Sequence, residues 1–121
     1  DRDSIAVGEV AILVIEDDDA FAGAVKDLAA GLDFDCVVTD NALDGLALAR
    51  ERLPQGILLD IGLPDQSGLA VLEQLKRDPR TRPIPVHVVS ASDHTQAALE
   101  LGAIGYIVKP AMPEVATTNE G

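Results

Sequence analysis

The sequence predicts an α/β domain built on a parallel sheet, and three observations carry that expectation. Short apolar runs rich in Val, Ile and Leu recur five times along the chain. Between them lie stretches whose apolar residues repeat at helical spacing. The runs are short and nearly unbroken rather than alternating, which is the pattern of strands buried on both faces. Strands that alternate with helices are joined by right-handed crossovers, and these cover both sides of the sheet.

The elements run in order along the chain. Residues 1–9 are polar and unpatterned and read as a linker. VAILVI, Val10 to Ile15, is the first strand. Phe21, Val25, Leu28 and Leu32 then mark one face of a helix. Asp18 or Asp19 can cap its start, and Gly31 suits its end. Cys36 to Thr39 is the second strand, and Asn41 to Arg52 a helix with Leu43, Leu46 and Ala49 or Arg50 on one side, stopped by Pro54. Gly56 to Asp60 is the third strand. The loop IGLPDQSG leads to a helix bearing Leu69, Leu72 and Leu75, closed at Asp78-Pro79. Pro83 and Pro85 precede the fourth strand, Val86 to Ser90. A short helix from about His94 to Leu101 ends at Gly102, and Tyr106 to Lys109 is the fifth strand.

Composition narrows the function. The length of 121 residues suits one domain. Aromatic residues are 2% of the chain against 47% apolar, so Ala, Val, Leu and Ile must fill the core. A formal net charge of -12 argues against nucleic-acid binding and against docking on an anionic membrane, since both need a basic patch. The single cysteine, Cys36, excludes an internal disulfide and reads as a small core residue. No apolar run approaches the roughly 20 residues of a membrane span, and no signal peptide is visible. A cytoplasmic setting is expected.

The residues at the strand ends carry the chemistry. The first strand runs into four acids, Glu16 to Asp19; the third ends in Asp60, the fourth in Ser90, the fifth in Lys109-Pro110. Ligands of open parallel sheets bind beyond the carboxyl ends of the strands. If the first and third strands are neighbours, Glu16, Asp17 and Asp60 converge there. Such a cluster repels itself unless a cation sits in it, and a hard cation with oxygen ligands, Mg²⁺, fits. Lys109 adds a fixed positive charge and Ser90 a hydroxyl. Together they can hold a phosphoryl group on an exposed carboxylate.

The runs ILVIEDDDAF, ILLDIGLPDQSG, VHVVSAS and GAIGYIVKP, in this order, resemble the receiver domains of two-component response regulators. The resemblance covers roughly Val10 to Pro110 and sets a domain at 10–112, with a truncated or disordered tail at 113–121. It implies a flavodoxin-like doubly wound sheet of strand order 2-1-3-4-5. It implies that Asp60 takes a phosphoryl group from a phosphohistidine on a histidine kinase or phosphotransfer protein. Asp17 would bind Mg²⁺ directly, Glu16 often through water, and Gly62 through its backbone carbonyl. Ser90 and Lys109 would hold the phosphoryl oxygens. Ser90 and Tyr106 would change state on activation, and the Lys109–Pro110 bond would be cis. The domain would be a signalling module that catalyses its own phosphorylation and dephosphorylation. The texture of residues 63–91 resembles receivers carried by hybrid sensor histidine kinases, so the parent chain would be such a kinase.

Two departures from the family pattern stand out. Only 19 positions separate Ser90 from Lys109, which predicts a short fourth helix. The tail after Pro110 has too few apolar residues for a full fifth helix, which predicts a short or missing one and a possible homodimer over the uncovered face near Ile12, Val14, Ile107 and Val108. Several residues also have blander roles: Asp18 and Asp19 as helix caps, Asp65 as a turn residue, Tyr106 as packing, His87 as a buried neutral imidazole and His94 as a surface residue. Two other functions compete. A degenerate receiver would act only as a protein-binding module, but it should lack one of the acids or Lys109. A dehalogenase-type enzyme would carry an acid two residues after its nucleophile, where this chain has Gly62.

Overall fold

A computed structural model describes residues 11–109. Five strands pair in parallel in the order β2-β1-β3-β4-β5. They are β1 (Ile12–Ile15), β2 (Cys36–Thr39), β3 (Gly56–Asp60), β4 (Val86–Ser90) and β5 (Gly105–Val108). Between them run α1 (Asp19–Gly31), α2 (Ala42–Arg52), α3 (Gly68–Arg77) and α4 (Thr95–Glu100). The flavodoxin-like order therefore stands as the sequence predicts. The short fourth helix is there as well, six residues long. The linker at 1–9, the fifth helix and the Lys109–Pro110 bond lie outside the described residues. No helix among those described is long and apolar enough to cross a membrane.

Local chemistry sets the helix ends. The Asp18 carboxylate accepts from the backbone N–H groups of Ala20 and Phe21 and caps α1. Asn41 caps α2 by accepting from Asp44, and Ser67 caps α3 by accepting from Leu69. α1 continues through Gly31, and the left-handed residue that turns the chain is Asp33. Leu53 does the same after α2 and is followed by Pro54.

The main core lies between one face of the sheet and α2, α3 and α4. Leu13, Ile15, Leu59, Val86 and Val88 point into it and meet Leu46, Val71, Leu72 and Leu75. Each such side chain contributes about 1.5–3 kcal/mol by leaving water. α2 seats on β1 through small residues, Ala42, Gly45 and Ala49, together with Leu46. A Cβ on Gly45 would lie 2.6 Å from Cδ1 of Ile15, so only glycine allows that approach. Leu43, expected on this face, is 71% exposed.

The other face is covered by α1 over β1 and β2, where Val14, Ala22 and Ala29 are buried. Beyond α1, among the described residues, this face forms an apolar trough lined by Ile12, Val25, Leu58, His87, Ile104 and Ile107. Three expectations are corrected here. His87 is exposed, because its side chain points into the trough rather than into the main core. Leu28 in the last turn of α1 and Leu32 just after it are exposed, and the buried contacts of the helix are made by Ala22 and Ala29. Val14, expected to lie bare, is fully buried, whereas Ile107 and Val108 are about half exposed as expected.

Candidate functional site

The parallel register brings the strand ends to one edge. Ile15 of β1 aligns with Leu59 of β3, which places Glu16 beside Asp60; β4 ends at Ser90, level with Val108 of β5. Glu16, Asp17 and Asp60 each offer a carboxylate oxygen within 4.8 Å of the others. Glu16 and Asp60 are buried and Asp17 is exposed, so the cluster is anchored from below and open above. Asp60, Gly62, Ser90, Ser92 and Lys109 line a cleft of about 390 Å³ with it.

Among the described residues, Lys109 is the cation that reaches these acids. Its ammonium lies 2.8 Å from Glu16 Oε1, 3.5 Å from Asp60 Oδ1 and 4.0 Å from Asp18 Oδ2. It also stands 5.0 Å from the centre of the Phe21 ring, a cation–π contact from α1. Burial works to lower the Lys109 pKa, but the bond to Glu16 and the charges of Asp60, Glu16 and Asp18 outweigh it and raise it. Burial pushes the Glu16 carboxyl up to about 7, against the pull of Lys109 and of the Asp18 N–H, which donates to Glu16 Oε2. The site therefore holds more acid than one lysine neutralises.

The donor set fits a hard cation. It is all oxygen, open on one side, and short of positive charge. Glu16, Asp17 and Asp60 would hold Mg²⁺. Gly62 lines the same cleft, and a Cβ there would lie 3.8 Å from Asp60 Oδ2.

The loop after β4 is tied on both sides. Ser90 Oγ accepts from Ser92 N–H at 3.1 Å. The Tyr106 hydroxyl accepts from His94 N–H at 2.8 Å and donates to the Ser92 carbonyl. Tyr106 thus faces the loop that follows Ser90. Lys109 N–H closes the same corner by donating to the Ser90 carbonyl at 2.8 Å.

Each sequence-predicted site residue lies at this edge: Glu16, Asp17, Asp60, Gly62, Ser90 and Lys109 around the cleft, Tyr106 behind it. His94, expected at the surface, is exposed at the cleft rim. Two residues gain roles that the sequence does not display. Phe21 faces Lys109 across 88 positions, and no local pattern announces such a pairing. Asp65 is more than a turn residue, for its carboxylate accepts from the N–H groups of Ala42 and Leu43 at 2.8 and 3.0 Å.

Comparison with known proteins agrees with this geometry. A family model described as the response regulator receiver domain matches residues 12–118. The polar-differentiation response regulator DivK of Brucella anthropi is 36% identical over 102 residues, covering 82% of this chain and 83% of that protein. Among solved structures, the Mn(2+)-bound form of response regulator Rcp1 is similar with a TM-score of 0.74 at 27% identity, covering 89% of this chain and 86% of that one. The BeF3-activated N-terminal receiver domain of Klebsiella pneumoniae RstA gives a TM-score of 0.75 at 25% identity, covering 90% and 93%.

Proposed function

Because the chain belongs to the response regulator receiver domain family, we propose that it is a phosphoacceptor in a Mg²⁺-dependent phosphorelay, with Asp60 as the acceptor. The observation that carries this reading is the convergence of three carboxylates and one lysine in a single open cleft. A carboxylate oxygen of Asp60 attacks the phosphorus of a phosphohistidine on a histidine kinase or phosphotransfer protein. The P–N bond breaks as an acyl P–O bond forms, and the donor imidazole leaves with the electron pair. Charge develops on the transferred oxygens, so catalysis is mainly positioning and neutralisation. Bound Mg²⁺ would supply positive charge to those oxygens. Lys109 orients the Asp60 carboxylate, and Ser90 offers its hydroxyl across the cleft.

Once the acyl phosphate is made, its oxygens compete for Lys109 and Ser90. Ser90 is bonded to Ser92, and Ser92 to Tyr106, so a pull on Ser90 reaches β5. Tyr106 and Ser90 are the switch residues in this reading. Support for the metal comes from the all-oxygen cluster and from the likeness to Mn(2+)-bound Rcp1.

The reading extends to a cytoplasmic setting, where phosphohistidine donors are made, and to a hybrid sensor kinase as the parent chain. Self-association would use the trough around Ile107, and sedimentation velocity across a concentration series would show it. The phosphoacceptor function itself is tested by incubation with acetyl phosphate and intact mass measurement. A gain of one phosphoryl group is expected with Mg²⁺ and not with a chelator. No gain under either condition would overturn the proposal.

A further inference from the structure

The loop after Asp60 is held by two different means. Near the strand, the N–H groups of Leu63 and Gly68 both donate to the Ile61 carbonyl, at 3.0 and 2.8 Å. Gly62 also pairs with Ser67 in a single antiparallel bridge. At the tip, the Asp65 carboxylate crosses to another element. Oδ1 accepts from Ala42 N–H and Oδ2 from Leu43 N–H, the first two donors of α2. That helix already has a local cap in Asn41, which accepts from the third donor, Asp44 N–H, at 2.8 Å. Asp65 therefore reaches across 22 or 23 positions for two donors that the local cap leaves open.

The consequence depends on where α2 sits. It is seated on β1 at Gly45, a contact that has no room even for a Cβ. β1 delivers Glu16 and Asp17; β3 and its loop deliver Asp60 and Gly62. The Asp65 clamp ties the second pair to the helix that rides on the strand of the first. The two N–H groups also hold its carboxyl below the usual range, Ala42 contributing most and Leu43 next. It is then charged and can serve both donors at neutral pH.

We infer that Asp65 is a positioning residue for the cleft: by clamping the tip of the 61–67 loop to the start of α2, it keeps Gly62 and Asp60 in register with Glu16 and Asp17. What the cleft does rests on the function proposed above, whereas the clamp rests on the hydrogen bonds alone.

Asp65→Ala is compared with Asn41→Ala, which removes the local cap of the same helix and leaves the loop bonded. Both variants should melt at a lower temperature than the wild type. Only Asp65→Ala should raise the Mg²⁺ dissociation constant, by about tenfold, the lower end of what loss of a partner outside the ligand shell costs. Only Asp65→Ala should speed hydrogen exchange at the Leu63 and Gly68 amides. Asp65→Asn keeps one acceptor oxygen and should fall between, and it carries the comparison if Asp65→Ala does not fold. Faster exchange confined to Ala42 and Leu43, with wild-type Mg²⁺ affinity, would make Asp65 a helix cap and overturn the inference. A wild-type chain that binds no Mg²⁺ and gains no phosphoryl group would sink the proposed function. The exchange rates at Leu63 and Gly68 would then still decide the clamp.

Discussion

Lys109 sets the electrostatics of the cleft. Two unit charges 4 Å apart interact by about 4 kcal/mol at an effective dielectric near 20. One ammonium cannot offset three carboxylates that lie within 4.8 Å of one another; burial, with the Asp60 charge adding to it, raises Glu16 to about 7 despite the bond from Lys109. Far from this edge the balance reverses at Asp78. Its carboxylate accepts from the Arg80 guanidinium and Arg80 N–H and stands 3.3 Å from Arg50. The Arg80 side chain and N–H hold Asp78 down to about 2. A depressed carboxyl favours the folded state above its ordinary pKa of 3.8 and loses that contribution as the pH falls through about 2. Asp78→Asn is therefore expected to melt below the wild type at neutral pH, with the gap closing as the pH falls from 4 towards 2. Thermal unfolding followed by circular dichroism checks this, and a gap independent of pH would contradict it. At this scale the sequence shows residues whose chemistry is tied to a strand end, such as Asp60 and Lys109. It hides Asp65 and Phe21, whose partners come from elements far along the chain.

The elements place these residues, and glycine decides how closely they approach. Gly68, the first residue of α3, packs on the end of β3; a Cβ there would lie 2.2 Å from the Asp60 carbonyl oxygen and 2.6 Å from Ile61 Cα. Both are backbone atoms and cannot swing aside. Gly68→Ala must push α3 off the strand that carries Asp60. It is expected to cost about 1–3 kcal/mol of stability, as overpacking does, and to slow phosphoryl uptake. Denaturant unfolding beside a timed acetyl phosphate reaction would measure both, and a variant unchanged in both would show that the contact relaxes freely. Strand positions were legible because apolar runs bounded by Pro, Gly and acids have few other readings. Helix faces were less so. A search for large apolar side chains picks Leu43 and Leu28, whereas α1 and α2 bury Ala22, Ala29, Ala42 and Ala49 because they lie close to the sheet. His87 misled for a related reason: an apolar run implies two covered faces, and its own face is the trough.

At the scale of the whole molecule, the order of strands reverses between β1 and β3, and the acids stand at that reversal. A doubly wound sheet opens a crevice there because the crossovers on either side depart in opposite directions. The core beneath holds the crevice in shape. Leu72 is fully buried within it, and Leu72→Ala is expected to cost about 2–5 kcal/mol through lost transfer energy and a residual cavity. Because Leu72 belongs to the core and does not line the cleft, Mg²⁺ affinity at temperatures well below melting should hold. Denaturant unfolding and a Mg²⁺ titration together check that separation.

In the proposed function the converging acids present Asp60 for phosphorylation. The most direct measurement is intact mass, followed by peptide mapping, of wild type and Asp60→Asn after acetyl phosphate and Mg²⁺. One added phosphoryl group is expected on the wild-type segment Gly56–Leu63, and none on the variant. A phosphoryl group that persists on Asp60→Asn, or that maps to another segment of the wild type, would contradict it.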